Sequence, residues 1–196
     1  MKHLVTTPPT LEPVTVEECR QFVGIYQAGD VSRDAVILSR IKTARLWCES
    51  YTRYHFMRQT VTAYADYFET CCNNCCIDLE APLVSVTSVK YINSNGVDTT
   101  LDPGQYIVDT VSNRITPAYN ASWPAIRQQP NSMRVEYLAG VVTPAEVDER
   151  VKEAIKFIIG QWERYQNTLE GGGYPPDFPN VAKSLLNYCF DMRGVF

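Results

Sequence analysis

Histidine is scarce in this chain. Its 196 residues hold two, His3 and His55, which leaves little material for a histidine-rich metal site or a catalytic triad. The nearest cysteine and histidine in sequence, Cys48 and His55, are seven apart. On one helix that spacing separates them by about 10.5 Å along the axis, too far to share a proton. The phosphate-cradling pattern G-x-x-x-x-G-K-[ST] and the dinucleotide pattern G-x-G-x-x-G are both absent. Gly171-Gly172-Gly173 runs into Tyr174-Pro175-Pro176 rather than into a helix, so it reads as a joint. No apolar run approaches the roughly 18 residues of a spanning helix, and the N-terminus has no apolar signal core. Basic residues do not dominate either. The 18 Lys and Arg face 22 Asp and Glu, a formal net charge of −4, which excludes a broad basic face gripping phosphates. The expectation is a soluble protein with no export signal, no membrane partner, no cofactor and no catalytic residues.

What is present is the composition of a folded domain: 45% hydrophobic and 20% charged residues exclude disorder and coiled coil. The leader holding His3 has no period and is expected to be mobile. Thr15-Val16-Glu17-Glu18 has the spacing of a capping box, with Pro13 fixing the approach, and opens a short helix ending near Gly24. A second helix runs from about Ser32 to Tyr54, because Ile37, Ile41, Ala44, Cys48 and Tyr51 repeat at steps of four and three. Arg33, Arg40, Lys42, Arg45 and Arg53 lie off that stripe, as a solvated polar face or a charged contact surface.

From Met57 the period changes to two, with Val61, Ala63, Ala65 and Tyr67 on one side of a strand. Asn73-Asn74 forms a turn between Cys71-Cys72 and Cys75-Cys76, and Ile77-Asp78-Leu79 returns. Between Leu83 and Ile92 the alternation slips by one residue, predicting a bulge near Thr87 and Ser88. Asn95-Gly96 predicts a hairpin through Val97 to Leu101, and Tyr106 to Asp109 and Met133 to Leu138 complete six short strands. Pro117 to Asn131 has no period and reads as an ordered loop. Trp123 is either its plug or an exposed partner anchor.

Thr143-Pro144-Ala145-Glu146 again has capping-box spacing with proline at the first helical position, and predicts a long helix. Its stripe is Val147, Val151, Ala154, Ile155, Ile158, Trp162 and Tyr165, supported by Glu146 with Arg150 and Asp148 with Lys152. Beyond the glycines, Val181 to Cys189 can form a final helix. The fold class is α+β: three to four helices with one long C-terminal helix, plus a small antiparallel sheet and hairpin insertion between the second helix and the long one. Residues 1–170 are expected to form a single domain, with helices at about 15–24, 32–54 and 144–167 and a β region at about 57–138. Residues 171–196 form a C-terminal arm.

This order, with particular local strings, resembles the head-to-tail connector, or adaptor, proteins of tailed double-stranded DNA phages. The strings are Val14-Thr15-Val16-Glu17-Glu18, Ala44-Arg45-Leu46-Trp47-Cys48-Glu49-Ser50-Tyr51-Thr52 and Leu83-Val84-Ser85-Val86-Thr87-Ser88-Val89-Lys90-Tyr91. They continue with Tyr106-Ile107-Val108-Asp109, Ser122-Trp123-Pro124, Arg134-Val135-Glu136-Tyr137-Leu138-Ala139-Gly140 and the Pro144-led helix ending in Trp162. They span Pro13 to Asn167, roughly four fifths of the chain. The resemblance implies a structural virion protein, assembled in the host cytoplasm and located in the neck. It implies a ring of about twelve copies beneath the portal protein. Double-stranded DNA would pass through without sequence-specific binding, and the next neck or tail protein would dock below. It also implies that the C-terminal part carries partner contacts, here through the apolar set Tyr174, Phe178, Val181, Leu185, Leu186, Tyr188, Phe190 and Phe196, folded back on its own subunit or reaching a neighbour or the portal.

Two other readings stay open at this stage. A stopper or tail-completion protein of the same neck would have a similar architecture. A metal-binding or redox module would use Cys71, Cys72, Cys75 and Cys76, since Cys72-Asn73-Asn74-Cys75 is a C-x-x-C. Against the latter, Cys19, Cys48 and Cys189 lack the spacing of a second half-site, and adjacent strand residues point to opposite faces. Free thiols, a metal and a Cys71 to Cys76 disulfide remain the alternatives, the last disfavoured in a reducing cytoplasm.

Overall fold

The computed structural model describes residues 1–24, 33–68, 76–168 and 180–191; for 165–168 and 188–191 it describes the backbone alone. The chain passes three times between two compact units. One is Met1–Thr10 with Arg58–Val141, and the other is Leu11–Met57 with Val142–Phe196.

The second unit is helical. Helix α1 (Val16–Val23) starts as its sequence predicts. Thr15 Oγ1 accepts the Glu18 N–H at 3.1 Å, and Glu18 Oε2 accepts the Thr15 N–H at 2.6 Å. Gly24 ends it in a left-handed conformation at φ 77°. Helix α2 (Asp34–Thr52) lies inside the predicted limits.

Helix α3 (Glu149–Thr168) begins five residues later than Pro144, from which the sequence led it. The Glu146 carboxylate does accept the Val142 and Thr143 N–H groups, but the turn it closes is a single 3-10 turn, Pro144–Glu146. Val147 is then extended and buried. Asp148 starts α3 by accepting the Arg150 N–H at 2.8 Å. The predicted i,i+4 pairs require one continuous helix. The pairs formed instead are Asp148 with Arg150 and Glu149 with Lys152, each at 2.6 Å. Helix α4 (Asn180–Asp191) matches the predicted final helix. Ile37, Ile41, Ala44 and Cys48 of α2, Val151, Ala154, Ile155, Ile158 and Ile159 of α3, and Ala182 and Leu186 of α4 make the buried core of this unit.

The first unit is a two-layer antiparallel sandwich. Its large sheet has strand order β1-β2-β8-β4-β5, and its small sheet β3-β7-β6. The strands are β1 Lys2–Thr7, β2 Gln59–Ala65, β3 Ile77–Asp78, β4 Leu83–Ile92, β5 Asp98–Thr100, β6 Tyr106–Asp109, β7 Arg114–Pro117 and β8 Met133–Ala139. Six were predicted; β1 and β7 were not. The expected mobile leader is thus an edge strand, paired with β2 from Lys2↔Tyr64 to Thr7↔Thr60. The His3 Nδ1 lies 3.0 Å from the Tyr137 hydroxyl, and burial raises the Tyr137 pKa, with the Glu80 charge adding to it. The bulge read from the sequence is present, as the β4 register shifts between Val86 and Ser88. The Asn95-Gly96 hairpin is present as well, with Gly96 at φ 81°.

Val61, Ala63, Val89, Met133, Val135, Tyr137, Ile77 and Ile115 fill the space between the layers. Trp123 packs on the rim of this core, stacked on Phe68 with ring centroids 4.8 Å apart and planes 3° apart. The segment from Arg58 to Val141 begins and ends at one place, where the Arg58 N–H donates to the Val141 carbonyl at 2.8 Å.

Candidate assembly surfaces

The charged residues of α2 divide into two groups. Arg45 is 4% exposed and Glu49 6%. The Arg45 Nε donates to Glu12 at 2.7 Å and its Nη1 to Glu49 at 2.8 Å. The other Glu49 oxygen accepts the Phe56 N–H at 3.0 Å, so this carboxylate ties the end of α2 to the chain leaving it. Arg33 and Arg40 both donate to the buried Glu163 of α3. Of the five basic residues read as a solvated or contact face, Arg40 and Arg45 are consumed inside the helical unit, and Arg33 pairs with Glu163 from its surface. Lys42 and Arg53 stay at its surface.

The apolar residues of α2 go the other way. Val36, Leu38 and Leu46 are exposed, Leu46 at 53%. Ala35, Ser39, Lys42, Thr43 and Ser50, exposed along the same helix, are small or carry one charge. Leu38 and Leu46, eight residues apart, share one side of the helix, whereas Val36 lies across the core stripe from Leu38, so the uncovered apolar side is that of Leu38 and Leu46. The signal was in the sequence, in the run Ala35-Val36-Ile37-Leu38 and in Leu46, outside the single stripe used to identify the helix. Phe22 of α1 and Phe157 of α3 add a half-exposed edge-to-face pair with centroids 5.3 Å apart. Phe22 lies close over Gly160, where an added Cβ would meet its ring at 3.1 Å.

The predicted partner-contact set is spread over different environments. Val181 is 52% exposed, Leu185 is half-buried and Leu186 is fully buried. The Tyr51 hydroxyl of α2 donates to Asn187 Oδ1 at 2.8 Å, so one side of α4 is committed to its own unit. Tyr188 and Phe190 lie in α4, but their side chains, like all of Tyr174, Phe178 and Phe196, lie outside the described residues.

Of the cysteine tip, Cys71, Cys72 and Cys75 lie outside the described residues; Cys76 is buried, its sulfur 4.0 Å from an Asp78 oxygen. Among the described residues no three Cys, His, Asp or Glu side chains converge on one point. Burial pushes the Cys19 and Cys48 thiols up to about 12, which leaves both protonated and poor nucleophiles. No helix among the described residues is long and apolar enough to cross a membrane.

No family model matches the sequence, and no curated protein matches it. Solved structures do match in fold. A chain in the neck of a native gene transfer agent particle, computed with C12 symmetry, aligns with a TM-score of 0.70 at 19% identity, over 96% of this chain and 94% of that one. A chain in the neck of an empty gene transfer agent particle, computed with C6 symmetry, gives 0.69 at 18% identity over the same shares. A chain in the virion of a native gene transfer agent particle gives 0.69 at 17%, again with 96% and 94% covered. The likeness therefore takes in both units and nearly the full length of each partner.

Proposed function

We propose that this chain is a structural subunit of the neck of a tailed phage-like particle, placed in a ring of about twelve copies beneath the portal. The ring joins head to tail, extends the DNA channel and offers a platform to the next neck or tail protein. The observation that carries this reading is the full-length likeness to chains of gene transfer agent necks, at a TM-score of 0.70. Two features support it. The side of α2 that carries the exposed Leu38 and Leu46 gives a rigid surface for a neighbouring copy. The exposed Val181 side of α4, with the residues from 171 onward, is the part that reaches the portal.

Mass analysis of mature particles and image reconstruction of their neck test the placement. The expected result is the chain present, in a closed ring next to the portal. Its absence from particles that contain portal overturns the reading.

A further inference from the structure

The face of the large sheet turned away from the core carries a row of basic and hydroxyl side chains. Cross-strand register sets Lys2 opposite Tyr64, Tyr64 opposite Arg134, Arg134 opposite Lys90 and Lys90 opposite Thr100. The alternate residues Ala63, Ala65, Met133, Val135 and Val89 are buried in the core. Period-two alternation therefore points the whole row outward. Lys2 and Thr100 are exposed, and Tyr64, Arg134 and Lys90 are half-buried. Two carboxylates share the face: Asp98 pairs with Arg134, and Glu136 sits in the next row between Thr62 and Ser88. Among the described residues Lys2 and Lys90 form no ion pair.

We infer that this row is a weak contact for the phosphate backbone of double-stranded DNA, made by Lys2 and Lys90 as point charges with the hydroxyls of Tyr64, Ser88 and Thr100 around them. Lysine, tyrosine, serine and threonine are side chains that hold phosphate oxygens without reading sequence. Three strand spacings separate Lys2 from Lys90, about 14 Å. That is close to the width of the major groove, about 12 Å, so the two ammonium groups can reach phosphates on both of its sides. The next row sets Ser88 and Glu136 beside an exposed Leu4, and binding to polyglutamate separates an acidic protein surface from a duplex as the occupant. Two unpaired lysines per copy, in a chain of net charge −4, hold a duplex loosely enough to slide. The inference rests on the proposed neck channel and assigns the sheet face to it.

The test uses the full chain and a labelled random-sequence duplex of about 30 base pairs, titrated from about 20 mM to 200 mM salt. The Lys2→Gln/Lys90→Gln variant is compared with wild type and with Lys42→Gln/Lys183→Gln, which removes equal charge from the helical unit. Thermal melts confirm that each variant is folded. The expected result is a tenfold or greater loss of affinity at low salt for the row variant, a salt slope shallower by about 2, and little change in the control. Equal losses in both variants, no binding by wild type at low salt, or tighter binding of the row to polyglutamate than to the duplex overturns the inference. Because the placement is read from particles and this contact from purified protein, either can fail while the other stands.

Discussion

Arg45 is the side chain whose loss the helical unit should feel most. Arg45→Met keeps the length and apolar stem of the residue and deletes its charge. Two charge-assisted hydrogen bonds disappear, at 2.7 Å to Glu12 and 2.8 Å to Glu49. Glu49, 6% exposed, then keeps its charge in a site built for an ion pair. Removing one partner of a buried pair costs about 3–5 kcal/mol, mostly as the penalty on the charge left behind. Urea unfolding of the full chain, followed by far-UV circular dichroism, should show the helical transition weakened by that amount. The double variant Arg45→Met/Glu49→Gln removes the stranded charge while its amide oxygen still accepts the Phe56 N–H. It should recover about 2 kcal/mol of the deficit, a coupling typical of contacting pairs. A single variant within about 1 kcal/mol of wild type, or a double variant no better than the sum of its parts, refutes the assignment of Arg45 to charge compensation.

Thr15→Ala should lower helical stability by about 1 kcal/mol in the same assay. The Thr15 backbone bond holds the Glu18 carboxyl below its ordinary value, so the contribution of the box is present above about pH 4.3 and is lost as pH falls through the lowered pKa. Thr15→Ala keeps that backbone bond and loses the hydroxyl's bond to the Glu18 carboxylate, so its gap to wild type should narrow in acid without closing. Cys19 and Cys48, at about 12, should resist iodoacetamide at pH 8 in the folded chain and react in urea, as read by peptide mass mapping. Gly96→Ala places a Cβ 2.5 Å from the Arg127 guanidinium at φ 81°, and a melting curve should show about 1–2 kcal/mol of destabilisation. Removing residues 171–196 should abolish portal attachment in pull-down. Since Leu186 is buried, the truncation should also lower the helical melting temperature, whereas Val181→Asp should weaken attachment alone.

Local signals carried most of the fold. The Thr15 box, the Asn95-Gly96 turn and the phase slip at Thr87 each act over a few residues, and each appears where the sequence sets it. What stayed hidden depends on partners far along the chain. Lys2–Thr7 has no alternation because neither of its faces is buried, and its pairing with β2 spans more than fifty residues. The start of α3 moved because burying Val147 needs one extended residue, a tertiary demand that the Thr143 box does not record. Arg45 fell off the core stripe in any periodic reading; its burial follows from Glu12 and Glu49 closing over it. The candidate surface was half legible. Val181 is exposed on α4, whereas the exposed Leu38 and Leu46 of α2 lie outside the one periodic stripe that identifies the helix.

The hydrogen bond between the Arg58 N–H and the Val141 carbonyl has a consequence for how such a chain can change over generations. An excursion that leaves and returns at one doorway can lengthen, shorten or be exchanged without asking its host to move. The host needs only a short bridge from Met57 to Val142, and the strand supplied by Met1–Thr10 travels with the guest rather than with the host. A gene encoding residues 11–57 joined directly to 142–196 would test that separability: a helical protein that still melts cooperatively would mark the sandwich as replaceable cargo.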